Sequence, residues 1–349
     1  MHRLLRGAAL PVHGDAGHRL GQAGREPGGA RDVARTAWLS AGLPESVPAV
    51  TIDRQCGSSQ QAVHFAAQAV LSGTQDLVVA AGVESMSLIP LGSSVTLGTG
   101  AGQPAPWGPG WRDRYGDEEI SQFRGAQLLC ERWGLKRPQL EEYALESHQR
   151  AIRAIETGVF DSEIAEVAGV RQDEGPRRDT TLEKMAGLKP LREGWDITAA
   201  VSSQISDGAA ALLVASADAV RRHGLTPKAR VTALAAVGDD PVVMLTAPIP
   251  ATLRVLARAG LDIGDIDVFE VSEAFAPVPL VWSAETGAPL ARTNPNGGAI
   301  ALGHPMGATG AVLMTKLIHD LERGGGRYGL QVMCEGGGQA NATVIERVP

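Results

Sequence analysis

The stretch AVTIDRQCGSSQQAVHFAAQAVLSG (residues 49–73) passes from strand to helix across a cysteine. AVTIDRQC is short and β-branched and stops at Cys56. The Ala-rich continuation reads as a helix beginning near Gly57. A thiol at such a junction faces the first N–H groups of the helix, whose partial positive charge favours the reactive thiolate. Gly57 removes side-chain bulk beside it. The plain alternative is a buried cysteine acting as a small hydrophobe.

Upstream, DVARTAWLSAGL reads as a helix ending near Gly42, with Pro44 just beyond. Downstream, DLVVAAGVESMS holds a buried strand at Leu77–Ala81. Residues 88–197 differ in character. They mix a loop-forming stretch, GTGAGQPAPWGPGWRDR, with the charged helical RPQLEEYALESHQRAIRAIETG. They read as a large insertion lying over the main fold, and long loops of that kind usually carry function. Trp107, Trp111, Arg112 and Phe123 fall in these covering loops, where they can touch a ligand or simply pack. From Ser206 the sheet-like pattern resumes with DGAAALLVAS and KARVTALAAV. A second cycle follows: a helix around Pro250–Ala259, the strand DVFEVSEAF, a Gly-rich loop and helix over 294–320, and the strands YGLQVMC and NATVIERV. Strands alternating with helices predict α/β layers around a mixed sheet.

The chain has 349 residues, 44% of them hydrophobic, enough for one large domain or two ordinary ones. A net charge of −7 leaves no basic footprint for nucleic acid. The three cysteines, Cys56, Cys130 and Cys334, form no C-x-x-C pair, which argues against a disulfide framework or a structural zinc site. The opening MHRLLRGAALPVHGDAG is too short for a signal-peptide core and too polar for a membrane span, so the cytoplasm is the expected location. Residues 1–31, rich in Gly, Arg, Ala and His without periodicity, are expected to be poorly ordered.

Three further segments bear chemistry. NPNGGAIALGHPMGATGA (294–311) sets His304 among five glycines, on a stiff loop where an imidazole can serve as general base for a thiol. It matches neither a P-loop nor G-x-G-x-x-G. CEGGGQAN (334–341) ends a strand on Cys334 and follows it with three glycines, whose backbone N–H groups can bind a developing oxyanion; a tight turn between strands is the bland reading. VSEAFA (271–276), with Glu273, is too short to be specific alone. His64, His148 and His223 read as ordinary helical or surface histidines, and Cys130 as a packing residue on a helix face.

Taken together and in order, TIDRQCGSSQQA, VVAAGVESMS, VSEAFA, NPNGGAIALGHPMGATGA and CEGGGQANATV resemble the motifs of the thiolase family. The likeness runs over about residues 32–347. RYGDEEISQFRG, PVVMLTAPIPAT and GGRYGLQVMCEGGGQANATVIER further resemble actinobacterial thiolases, including a branch that shortens steroid side chains as CoA thioesters. The resemblance implies a five-layered αβαβα fold of two similar halves, residues 32–222 and 226–349. A loop domain inserted in the first half, about 88–197, would cover a coenzyme A tunnel. It implies a homodimer or homotetramer, acyl-CoA and CoA as partners, CoA as co-substrate, and no permanently bound cofactor or metal. By position, Cys56 would be the acylated nucleophile, His304 its activator, and Cys334 the acid/base. The N–H groups of Cys56 and Gly336 would form the oxyanion hole, and Ser203 would touch the pantetheine arm.

Two departures stand out. The family carries Asn where this chain has Ser272, a position that holds a water for the enolate oxygen. The family also opens on a strand with an R-T-P type motif. Residues 1–31 hold no counterpart, as an out-of-frame or misassigned start would leave them, so an unpaired sheet edge is expected in the first half. An impaired, thiolase-like CoA-thioester binder is therefore the alternative function. A decarboxylating condensing enzyme of related fold would need a second histidine that these motifs lack.

Overall fold

The computed structural model describes residues 32–349 except 104–106, together with Leu10–Val12 of the leading segment. The order expected for the rest of residues 1–31 lies outside the described residues. Leu10–Val12 corrects one expectation. It forms a strand, β1, paired in parallel with Ala49–Thr51 (β2), Leu10 opposite Ala49. The first half therefore has an opening strand where none was legible, hydrogen-bonded to β2 in a two-stranded sheet that lies beside the second pair of strands of this half and forms the first sheet layer with it.

Between them, Val33–Ser40 forms α1, whose first turn is capped by the Asp32 carboxylate accepting from the N–H of Arg35 at 3.1 Å. After β2 come α2 (Ser58–Leu71) and β3 (Leu77–Ser85). β3 lies beside β1 and pairs antiparallel with β4 (Asp207–Ala215) from Leu77↔Ala215 to Ser85↔Asp207. Between β3 and β4 run α3 (Ser93–Gly100), α4 (Pro109–Tyr115), α5 (Gln122–Trp133), α6 (Arg137–Glu156) and α7 (Leu182–Ala186). The short α8 (Ala217–His223) closes this half.

The second half contains β5 (Ala229–Gly238), α9 (Pro248–Ala259), β6 (Val268–Val271), α10 (Pro277–Thr286), α11 (Ala299–Leu302), α12 (Met306–Gly324), β7 (Tyr328–Glu335) and β8 (Gln339–Arg347). Its sheet has the order β5-β8-β7-β6, with β6 parallel to β7. Thr293 makes a parallel bridge to Phe269 on β6. The succession β1, β2, α2, β3, β4 thus reappears as β6, Thr293, α12, β7, β8. The halves repeat one plan, and in it Cys56 just before α2 corresponds to His304 just before α12.

Packing separates five layers. α1 and α8 bury Val33, Ala34, Trp38 and Ala219 against Leu77 on one face of the first sheet. The opposite face of β3, through Val78 and Ala80, meets Ala62, Val63 and Ala66 of α2 and Met314, Leu317 and Leu321 of α12, and the same cluster reaches Ile345 on β8. Beyond the second sheet, α9 and α10 pack Val255, Leu256 and Trp282 against Phe269, Leu330 and Val344. The period-2 alternation of β3 puts successive residues into different layers.

α2 and α12 form the central layer, so their polar residues must find partners inside the protein. Ser59 Oγ accepts from the N–H of Ala311 at 2.9 Å, and Gln60 Nε2 donates to Thr343 Oγ1 at 2.9 Å. His64 is buried, contrary to the surface reading, and its Nε2 lies 2.8 Å from the same hydroxyl. Burial and nearby Arg54 hold its pKa down to about 3, so the ring is neutral. His148 is likewise buried, its Nδ1 accepting from the N–H of Arg177 at 3.1 Å. The two helices touch where Gly310 meets Gln60; a Cβ at 310 would lie 2.3 Å from the Gln60 nitrogen. Gly310→Ala is expected to push the helices apart, at about 1–3 kcal/mol for overpacking, which a lower midpoint in denaturant unfolding would register.

Candidate active site

β2 ends at Thr51, and a 3-10 turn at Gln55–Gly57 carries Cys56 directly ahead of α2. The turn is tight. Gln55 has φ +51°, a left-handed conformation that costs a non-glycine residue about 1–2 kcal/mol. Side chains brace it: Asp53 Oδ1 accepts from the N–H of Gln55 at 2.9 Å, and Ser58 Oγ donates to the Gln55 carbonyl at 2.6 Å. Cys56 is 6% exposed and packs with Met86, Met306, Leu313 and Met333.

Cys334 lies near the end of β7 and is 1% exposed. Gly337 and Gly338, at φ +79° and +72°, turn the chain into β8. The two cysteine segments interlock. A Cβ on Gly57 would fall 1.8 Å from Glu335 Oε1, and a Cβ on Gly336 would fall 1.4 Å from Gln55 Oε1. Each glycine therefore admits a side chain from the opposite segment, which brings the two thiols into electrostatic contact.

His304 stands between α11 and α12, 5% exposed, with its N–H donating to the Gln204 carbonyl at 3.0 Å. Met306, two residues on, packs in the same cluster as Cys56. The ring's tautomer follows from its neighbour. Thr309 Oγ1 donates its single proton to the Pro305 carbonyl at 3.0 Å, so at 2.7 Å from His304 Nδ1 it accepts. Nδ1 carries the proton, and the buried Nε2 is an unprotonated acceptor with no partner among the described residues. Burial lowers the His304 pKa to about 4, which keeps the ring neutral at ordinary pH.

The electrostatics correct one sequence expectation. The helix start does not leave Cys56 as a resting thiolate. Burial, then Cys334 and Glu335, raise its pKa far above the ordinary thiol value, and backbone hydrogen bonding only partly opposes them. Cys334 is pushed up to about 12 by burial, against a lowering hydrogen bond from Ser272 and a raising effect of Glu335. The resting site therefore holds two neutral thiols and a neutral imidazole. A base acting at the moment of reaction suits it better than a standing anion.

Ser272, directly after β6, is 1% exposed; its hydroxyl lies against the Cys334 thiol and has no nitrogen or oxygen partner among the described residues. Ser203 is half-buried, and its N–H donates to the Ala274 carbonyl at 3.0 Å, which sets it beside the Ser272 segment. Glu273 is a tie. Its carboxylate accepts from Tyr143 Oη, Ser147 Oγ and Asn294 Nδ2, each at 2.8 Å, and from the N–H of Ile300 at 3.2 Å. It thereby fastens α6 of the insertion to the loop leading to His304. Of the covering residues, Phe123 packs edge-on against Phe275 at 5.5 Å and Trp111 stacks on Tyr115 at 4.6 Å. Cys130 lies in the core.

Sequence reading missed Thr309, Arg54 and Glu335. Thr309 was legible as a hydroxyl five residues past His304 on a helix start. The other two announce nothing until the cysteine segments are seen to meet. Two substitutions probe this geometry. Thr309→Val is expected to lower turnover about fivefold, the worth of one hydrogen bond near 1 kcal/mol, with Thr309→Ser restoring it in the same steady-state assay. Ser272→Asn is expected to speed the carbon–carbon step, since one oxyanion donor is worth about 3 kcal/mol of barrier; an unchanged thiolysis rate would refute that.

Comparisons with known proteins agree with this arrangement. The thiolase N-terminal domain model matches residues 18–218, starting ahead of Asp32, and the thiolase C-terminal domain model matches residues 225–347. A steroid 3-ketoacyl-CoA thiolase of Mycobacterium tuberculosis is 57% identical over 327 residues, covering 92% of this chain and 80% of that protein. A 3-oxoadipyl-CoA/3-oxo-5,6-dehydrosuberyl-CoA thiolase of Escherichia coli is 42% identical over 339 residues, covering 91% of this chain and 84% of its own length. The crystal structure of human mitochondrial 3-ketoacyl-CoA thiolase superposes with a TM-score of 0.86 at 31% identity, covering 100% of this chain and 89% of that one. With the five-layered fold of two like halves and the paired cysteine segments, these matches show that the chain belongs to the thiolase family.

Proposed function

We propose that this thiolase cleaves 3-oxoacyl-CoA with CoA, giving acetyl-CoA and a shortened acyl-CoA, with Cys56 as the acylated nucleophile. The observation that carries this reading is the placement of Cys56 and His304 at corresponding junctions ahead of the two central helices, with the Cys334 segment interlocked with the Cys56 segment at Gly57 and Gly336.

In the first half-reaction His304 Nε2 takes the Cys56 proton as sulfur attacks C3 of the substrate. The oxygen of the tetrahedral adduct lies toward the N–H groups of Cys56 and Gly336. The C2–C3 bond breaks, leaving the acyl group on Cys56 and an acetyl-CoA enolate. The protonated imidazole and a water held by Ser272 bind the enolate oxygen, and Cys334 gives its proton to the enolate carbon. In the second half-reaction the Cys334 thiolate takes the proton of an incoming CoA, whose sulfur attacks the acyl-cysteine. Cys56 leaves and recovers its proton from His304. Two thiols and one imidazole balance every proton, and the kinetics are ping-pong. Run backward, the same steps perform Claisen condensation.

The neutral resting site supports this order, because proton transfer and attack then coincide. In this reading Ser203, beside the Ser272 segment, touches the pantetheine arm. The 57% identical relative, by its name, acts on a steroid 3-ketoacyl-CoA, and we assign this chain a bulky, steroid-derived acyl group covered by the insertion. A homodimer or homotetramer fits the surface. Among the described residues, exposed large apolar side chains such as Val50, Phe65, Leu71 and Leu213 fall almost all in the first half and the insertion, with Leu253 the exception.

Incubation with acetoacetyl-CoA, followed by mass spectrometry of the intact protein, should show one acetyl adduct that Cys56→Ala abolishes. CoA should discharge it. An adduct that survives Cys56→Ala would refute the assignment. Saturable binding without any adduct would favour the impaired binder.

A further inference from the structure

Glu335 reaches from its own cysteine segment to Gly57 in the other, and its surroundings are unusual for a carboxyl group. Its side chain is fully buried. Oε2 accepts from Arg54 Nη1 at 3.3 Å, and the same Arg54 nitrogen donates to Gln339 Oε1 at 2.9 Å. Oε1 presses on the backbone of Gly57, next to Cys56, and has no hydrogen-bond partner among the described residues. A carboxylate has two oxygens to satisfy, and burying one without a donor disfavours the ionised form.

The ionisable groups that act on it or on the thiols come from several elements: Arg54 and Cys56 on the turn before α2, Cys334 beside it on β7, Glu84 on β3, which acts on Cys56, and His64 on α2, which feels Arg54. His64 and His304 are neutral. Among the described residues Arg54 is the cation that acts on Glu335, and Glu335 acts against the ionisation of both Cys56 and Cys334. An ionised Glu335 would cancel Arg54 and oppose the thiolate. A protonated one leaves no anion beside Gly57.

We propose that Glu335 is a positioning residue whose carboxyl, wedged between Arg54 and Gly57, sets how readily Cys56 yields its proton. This rests on the reading of Cys56 as nucleophile. Burial pushes the Glu335 pKa up to about 8, with Arg54 and a backbone hydrogen bond at Asn341 lowering it, so the carboxyl is neutral below that pH and charged above it. Within the reaction it neither gives nor takes a proton; the Cys56 proton goes to His304.

The test is the rate of Cys56 carboxamidomethylation by iodoacetamide from pH 6 to 10, read by peptide mass spectrometry. Acyl-adduct formation is measured separately. The wild-type profile should flatten near pH 8 as Glu335 ionises. Glu335→Gln should remove the flattening, agree with wild type below pH 7 and run about threefold to tenfold faster above pH 9, equivalent to about half to one pKa unit on the thiol. A purely structural role would scale the whole profile without moving its inflection. Arg54→Met provides a second readout should Glu335→Gln fail to fold. Losing the cation should move the flattening to higher pH by about one unit, by analogy with typical carboxylate–Arg shifts. Superimposable profiles for wild type and either variant, or an inflection moved the other way, overturn the proposal. Absence of an acyl adduct in the wild type would instead refute the nucleophile assignment and leave the alkylation profile to be judged alone.

Discussion

Everything at the site depends on the contact between the two central helices. α2 and α12 approach closely because Gly310 gives its side-chain space to the backbone of Gln60. The Ser59–Ala311 hydrogen bond fixes their relative register. Each helix begins at a junction from its own half of the chain, one carrying Cys56 and the other His304. A few tenths of an ångström at Gly310 would be carried along two stiff helices to the sulfur and the imidazole, because packed interiors transmit strain. The sheets on either side hold this pair in register, and β7 brings Cys334 in from the second of them.

The second constraint is dryness. Cys56, His304, Cys334 and Ser272 are nearly inaccessible. Burial favours the neutral form of each titratable group, which raises the thiols and lowers the imidazole. A permanent thiolate would be costly there, whereas charge that appears during a reaction meets donors already oriented toward it. The Thr309 hydroxyl, committed to Pro305, fixes the imidazole proton on the ring nitrogen away from the reaction.

Much of this was legible in the sequence, and for physical reasons. A β-branched run before Cys56, an Ala-rich run after it and glycines around His304 and Cys334 are local signals, and the elements they predict are present, except that the strand ends at Thr51 and a 3-10 turn carries Cys56. β1 was not legible, because three residues carry no period and its strand character comes from pairing with β2. The burial of His64 and His148 was hidden for a related reason: each is satisfied by a distant partner, Thr343 or the backbone of Arg177. Glu273 looked like a weak motif residue, and its four donors come from two separate parts of the chain. Glu335 and Gly57 have meaning only as a pair, and no window of sequence contains both.

The Glu273 tie bears on how such a protein can diversify. Tyr143 and Ser147 belong to the insertion, while Asn294 and Ile300 belong to the loop that leads to the base. The segment proposed to roof the acyl group is therefore tied to the His304 loop through this carboxylate, alongside the Arg150 bonds to the carbonyls of Leu290, Thr293 and Asn294. A swap of that roof between relatives, made to graft a new substrate preference, would have to carry the tyrosine and serine with it. Without them the transplanted cover would sit on a carboxylate missing half its donors, and the histidine loop would lose one of its ties to that cover.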